Sequence, residues 1–167
     1  MQGNVPQSNA TIPALRHATL QDIVHGLGDD HFTVEQLVNA YLARINEVNH
    51  EFHAVIQTNP DAIKDARLLD QEEADAVRLP ETFPSPTTSP SSSQTSLHSN
   101  ELHDESSYGP LRGVPFLIKG NIATLDTTET TCGSLALVGA RPSKEADIVT
   151  ALRSAGAIIL GKINMAE

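Results

Sequence analysis

Between Leu79 and Ser107 the chain carries Pro80, Pro84, Pro86 and Pro90 among a dense run of serines and threonines that includes Ser91, Ser92 and Ser93. No apolar face can be assembled from such a stretch, so nothing in it offsets the conformational entropy lost on ordering. It reads as a disordered spacer, with a phosphorylation-controlled tether at Ser85-Pro86 and Ser89-Pro90 as the functional alternative. A folded body must then be built from the flanks, residues 18–78 and 108–167. Ahead of them, residues 1–17 place Pro6 and Pro13 among polar residues without periodicity and read as a flexible lead-in.

The first flank is helical. Thr19 and Asp22 stand as a cap and a first-turn acid, and Leu20, Ile23, Val24 and Leu27 share a face before Gly26 and Gly28 end it. Thr33 and Gln36 have capping-box spacing ahead of Leu37, Ala40, Tyr41, Ile45 and Val48, one stripe at helical period. Phe52 to Gln57 alternates weakly and reads as a short strand or an extended connection up to Asn59-Pro60. From Asp61 to Val77, Ala62, Ala66, Leu69 and Ala76 recur among charges of both signs, the pattern of a helix covering a sheet with a narrow buried stripe. None of these helices clusters polar groups on its apolar side, so they read as packing elements.

The second flank opens on Val114, Phe116, Leu117 and Ile118, a strand-favouring run bounded by Gly113 and Gly120 and ending on Lys119. A lysine held there without a carboxylate has its ammonium form disfavoured by desolvation, and the neutral amine is a base. A lysine at a strand tip also commonly just reaches into water, and the strand by itself leaves both readings open. A threonine-rich loop, Thr124 to Ser134, follows. A helix from Pro142 to about Ala155 comes next, with Ile148, Val149 and Leu152 facing inward, and then a strand over Ala157 to Leu160. Strand, loop, helix and strand predict a parallel crossover unit whose two strands are adjacent, with unpaired outer edges. Ligands bind at the carboxyl ends of such strands, which is where Lys119 falls.

Three motifs of this flank occur together and in order: Gly109-Pro-Leu-Arg-Gly-Val-Pro-Phe-Leu-Ile-Lys119, Thr130-Thr-Cys-Gly-Ser134, and Ala155-Gly-Ala-Ile-Ile-Leu-Gly-Lys-Ile-Asn-Met165. With them the chain resembles the amidase signature family, and the helical pattern upstream is compatible with that family's N-terminal region. The resemblance implies an α/β fold in which N-terminal helices precede the first strand–helix–strand unit of an α/β/α architecture, incomplete in this chain. It implies hydrolysis of carboxamide carbon–nitrogen bonds by a Ser/cis-Ser/Lys triad, with a small-molecule amide as substrate of the complete enzyme. Of the triad only the lysine carries over, onto Lys119. The family's serines lie in a Gly/Ser-rich loop downstream of the Asn-Met segment, and the sequence stops at Glu167. The expectation is therefore an N-terminal portion, inactive by itself, with a non-catalytic truncated product or helical interaction piece as the alternative. Where the family reads Lys-Asp-Asn, this chain reads Lys119-Gly120-Asn121. That substitution removes a possible orienting carboxylate and, with it, a counter-charge favouring protonated lysine.

The remaining features narrow the class by exclusion. A formal net charge of -10 without any Lys/Arg-rich run argues against a nucleic-acid surface. One cysteine excludes an internal disulfide, the first residues have neither the basic start nor the apolar run of a signal peptide, and no apolar run could span a bilayer. The expected location is cytoplasmic, with neither nucleic acid nor membrane as partner and the oligomeric state left open. Gly156 to Lys162 has the spacing of a phosphate-binding loop, but Ile163 replaces the required Ser or Thr and Ala157 to Leu160 are strand-formers, so Lys162 reads as structural or solvent-facing. All seven histidines precede the Lys119 strand, so Cys132 has none downstream to activate it and reads as a small buried thiol. His50 with His53, and His98 with His103, lack the further ligands a zinc site needs. No metal and no cofactor is expected.

Overall fold

The computed structural model describes residues 12–78 and 109–165; the spacer expected over 79–107, and residues 1–11 of the lead-in, lie outside them. Helix α1 (Leu20–Gly28) starts on a closed capping box, in which Asp22 N donates to Thr19 Oγ1 at 3.2 Å and Thr19 N donates to Asp22 Oδ2 at 2.8 Å. Helix α2 (Val34–Phe52) starts on the same device at Thr33 and Gln36. Two more of its free N–H groups are met from a distance, Val34 N by Asp70 Oδ1 at 2.8 Å and Glu35 N by Asp70 Oδ2 at 3.0 Å. Helix α2 ends where His53 turns left-handed, and both polar atoms of the Asn49 amide then bond the backbone of Val55, starting strand β1 (Val55–Thr58). Helix α3 (Ala62–Arg78) follows a turn in which Asn59 Oδ1 accepts from Asp61 N.

Beyond residue 109 come strand β2 (Pro115–Lys119), a 3₁₀ turn (Leu135–Leu137), helix α4 (Asp147–Ser154) and strand β3 (Ile158–Ile163). The expected parallel pairing of β2 with β3 is present, but the expectation of unpaired outer edges is corrected at β3. The sheet order is β1-β3-β2, with β1 antiparallel to β3. A four-residue strand with weak alternation carries too little pattern to announce its partner; its pairing is set by the turn from α2.

Helix α4 also departs from expectation. It begins five residues after Pro142, on Ala146, without a side-chain cap, because the preceding segment is tied elsewhere: Ala146 N donates to Ala123 O at 3.0 Å and the Glu145 carboxylate accepts from Leu125 N at 3.2 Å. The later start leaves Val149 fully buried and Leu152 partly buried, while Ile148 is 57% exposed rather than facing inward.

The helices lie on both faces of the sheet. On one, Leu117, Ile158 and Leu160 pack against Val34 and Val38 of α2 and Ala62 and Ala66 of α3; on the other, Ile118 and Ile159 pack against Val149 of α4. Ile23, Phe32, Leu37 and Val114 form a third cluster toward α1, on which Ile12 and Leu15 of the lead-in also pack. The described residues thus form a small α/β/α unit, the fold class expected from the sequence.

One irregularity in β3 governs the site. Phe116 pairs with Ile159, yet Leu117 pairs with Gly161, so Leu160 and Gly161 together oppose one residue of β2. That extra residue is a bulge, and it reverses the facing of every side chain after it. Ile159 faces α4, Leu160 faces α2 and α3, and Lys162, now paired with Ile118, faces α4 again. Gly161 is required here: its φ is +153°, and a Cβ would lie 2.8 Å from Thr58 Cα and closer still to the Gln57 carbonyl oxygen.

Candidate functional site

Lys119 is the last residue of β2 and is half-buried. The base of the strand is locked to the start of β3 by backbone contact. Leu111 N donates to Ala155 O and Gly113 N donates to Gly156 O, both at 2.9 Å. At Gly156, φ +87°, a Cβ would lie 2.8 Å from Arg112 Cα, so the glycines of the first and third motifs serve one close approach of two chain segments. At the tip, Ile122 N donates to Lys119 O, Gly120 N to Ile163 O and Cys132 N to Gly120 O. One of these bonds is made by Lys119 and two by the adjoining Gly120, so the tip of the strand is held in place. Strand alternation puts its side chain on the face of Leu117, opposite Ile118. Among the described residues its ammonium has neither a hydrogen bond nor an ion pair. Gly120 stands where the resembling family carries aspartate, and a Cβ there would meet Ile163 O and Ile56 Cδ1, each at 3.2 Å.

The loop from Gly120 to Ser134 has no strand or helix of its own, yet it is tied to every layer. Thr124 and Thr128 are buried, and Asp126 Oδ1 accepts from Thr124 Oγ1 at 3.2 Å, Thr128 N at 2.9 Å and Thr128 Oγ1 at 2.5 Å. The other oxygen of Asp126 accepts from Arg153 of α4 at 2.8 Å, and Arg153 also donates to Glu145 at 3.3 Å. Thr127 Oγ1 donates to the buried Asn59 amide oxygen at 3.3 Å, and Glu129 N donates to Gln57 Oε1 of β1 at 2.8 Å. A long loop held this firmly is a positioned loop. Beside it an open cleft of about 440 Å³ is lined by Asp61, Lys64, Asp65, Leu125, Asp126, Glu145 and Arg153. Burial raises the Asp65 carboxyl above its ordinary value, against the pull of Arg153.

Lys162 is the fourth tie. Its side chain is 0% exposed, and its ammonium donates to Ile122 O at 2.5 Å and Thr130 Oγ1 at 3.3 Å. Burial lowers its pKa, opposed by the charges of Asp126 and Glu145. Of the two readings left open by the sequence, structural or solvent-facing, only the first survives. Cys132 is corrected in the opposite sense: it is exposed rather than buried, because Cys132 and Gly133 both take left-handed backbone, φ +51° and +73°, on the outside of the loop. His53 is occupied as the C-cap of α2 and His50 lies 3.7 Å from Glu51, while His98 and His103 fall outside the described residues. Among the described residues, no three His, Cys, Asp or Glu side chains are grouped to hold a metal ion, and no helix is long and apolar enough to cross a membrane. Asp126, Asn59 and Gln57 escaped sequence reasoning. Of these only Asp126 had a local signal, the Thr124-x-Asp126-x-Thr128 spacing of side chains that fold back on their own turn.

A family model described as Amidase matches residues 89–167. Over 154 residues the chain is 34% identical to a probable amidase of Arabidopsis thaliana, covering 92% of this chain and 25% of that protein. It is 31% identical to a glutamyl-tRNA(Gln) amidotransferase polypeptide of Natranaerobius thermophilus, again over 92% of this chain and 25% of the relative. Among solved structures, the peptide amidase of Stenotrophomonas maltophilia superimposes with a TM-score of 0.67 at 33% identity, over 90% of this chain and 25% of that one. The chain thus spans about a quarter of the length of these relatives. The resemblance first carried by three motifs around Lys119 extends through α1, α2 and α3 and through the sheet they cover, so that the amidase match over residues 89–167 sits within a longer likeness to the N-terminal portion of much longer amidases.

Proposed function

We propose that this chain is the lysine-bearing portion of an amide hydrolase, with Lys119 the base at the far end of a Ser/cis-Ser/Lys relay. In its neutral form Lys119 takes a proton from a bridging serine, which in turn activates a second serine to attack the carbonyl carbon of a carboxamide. The carbon–nitrogen bond then breaks with a proton delivered to the leaving amine, and water releases the acyl group as a carboxylate. The observation that carries this reading is the situation of Lys119: the backbone at the end of β2 fixes it, and no described carboxylate or carbonyl claims its ammonium. A lysine serving only as a structural cation would be expected to be spent on a partner, as Lys162 is.

On this reading the 167-residue chain is by itself inactive, because a base without a relay serine has no nucleophile to activate. Serine-directed fluorophosphonate labelling tests it. The chain as it stands should take up no stoichiometric label, while a polypeptide extended through the serine-bearing loop should be labelled to one equivalent. Stoichiometric labelling of the 167-residue chain, or none of the extended one, would overturn the assignment.

A further inference from the structure

We propose that Lys162 is a positioning residue, whose buried ammonium bridges the two ends of the loop that follows β2 and thereby fixes the shape of the Lys119 terminus. The geometry is specific to the bulge at Leu160 and Gly161. Without it Lys162 would face α2 and α3; with it the side chain passes beneath the loop on the α4 side and reaches Ile122 O and Thr130 Oγ1. Ile122 N donates to Lys119 O, so one hydrogen bond joins the residue held by the buried ammonium to the backbone of Lys119. Thr130 stands two residues before Cys132, whose N–H closes on Gly120 O. A single ammonium thus holds both the exit from Lys119 and the return to Gly120.

The arrangement is not an ordinary ion pair. The carboxylates facing Lys162 from the loop and from the α4 side, Asp126 and Glu145, act on it through space. They spend their oxygens on Arg153, Thr124, Thr128 and the loop backbone. A cation placed on a carbonyl and a hydroxyl, in a site where a methionine would fill the same volume, is there for what its N–H groups hold. The loop-fixing claim stands on this chain alone; its catalytic consequence rests on the reading of Lys119 given above.

The test uses the 167-residue chain and two variants, Lys162→Met, which keeps the buried stem and removes the donors, and Thr130→Val, which keeps the lysine and removes one acceptor. Hydrogen exchange at the amides of Ile122, Glu129 and Cys132, and the rate at which the Cys132 thiol reacts with an aromatic disulfide, report on the loop. In Lys162→Met both should rise by about tenfold or more, with exchange in α2 unchanged; in Thr130→Val they should rise in the same direction by less. A packing role would leave them unmoved, since methionine packs as the lysine stem does. Loop rates within about twofold of the wild type in both variants would overturn the proposal, and should Lys162→Met fail to fold, Thr130→Val alone decides. In the extended enzyme Lys162→Met should lower kcat with little change in KM. Full turnover in a Lys119 variant would defeat the reading of Lys119 and leave the loop measurement standing.

Discussion

Ile118 and Lys162 are partners across the parallel pair of β2 and β3, so a lysine shares a sheet face with an isoleucine of the apolar cluster and is wholly buried there. One position further along, Lys119 is paired with Ile163 and half-exposed. The two lysines are thus one register step apart in unlike surroundings, and their expected behaviours differ accordingly.

Burial lowers the pKa of Lys162, so the folded state releases its proton at a lower pH than the unfolded chain does. Between the folded value and about 10.4, the unfolded state holds more protons and stability rises with pH. Below the folded value the contribution is flat. Urea midpoints measured against pH for the wild type and Lys162→Met should show this rise in the difference between the two proteins. A difference that stays flat up to about 10.4 and falls above it would mean that the ammonium is stabilised by its site.

The bulge that directs Lys162 depends on Gly161. Gly161→Ala forces a side chain into left-handed backbone and against the β1 backbone at Gln57 and Thr58. A loss of about 2–4 kcal/mol is expected, read as a shift of the urea midpoint at unchanged slope. A near-neutral result would show that β1 can move away from β3 at little cost.

Asp70 closes the start of α2 from across the α2–α3 contact. Asp70→Ala leaves the N–H groups of Val34 and Glu35 without their acceptors and removes a negative charge from a helix N-terminus. It should cost about 1–2 kcal/mol. Equilibrium unfolding checks it, with Thr33→Ala as the local-cap comparison.

What was legible in the sequence is what is written locally. Thr19 with Asp22, and Thr33 with Gln36, announce two helix starts within four residues, and the apolar run into Lys119 announces a strand that the flanking glycines pin. What was not legible depends on distant partners. Asp70 caps a helix 36 residues away, and β1 joins the sheet on its far side through a partner more than a hundred residues later. A one-residue bulge changes the facing of Lys162 without changing the composition of the strand that carries it, so no periodicity argument could have buried it. Cys132 fails for a related reason: thiols are buried on average, but a left-handed turn decides this one. That Lys119 stands at a strand end was legible for the same local reason as the helix starts, since the apolar run stops there.

The central claim is that Lys119 is the proton acceptor of the relay. In a polypeptide extended through the serine-bearing loop, the pre-steady-state rate of acyl-enzyme formation from an amide substrate should fall by at least about a hundredfold in Lys119→Ala. It should fall nearly as far in Lys119→Arg, whose guanidinium stays protonated and cannot accept the proton, with both variants melting as the parent does. Acylation at the parent rate in either variant would contradict the account.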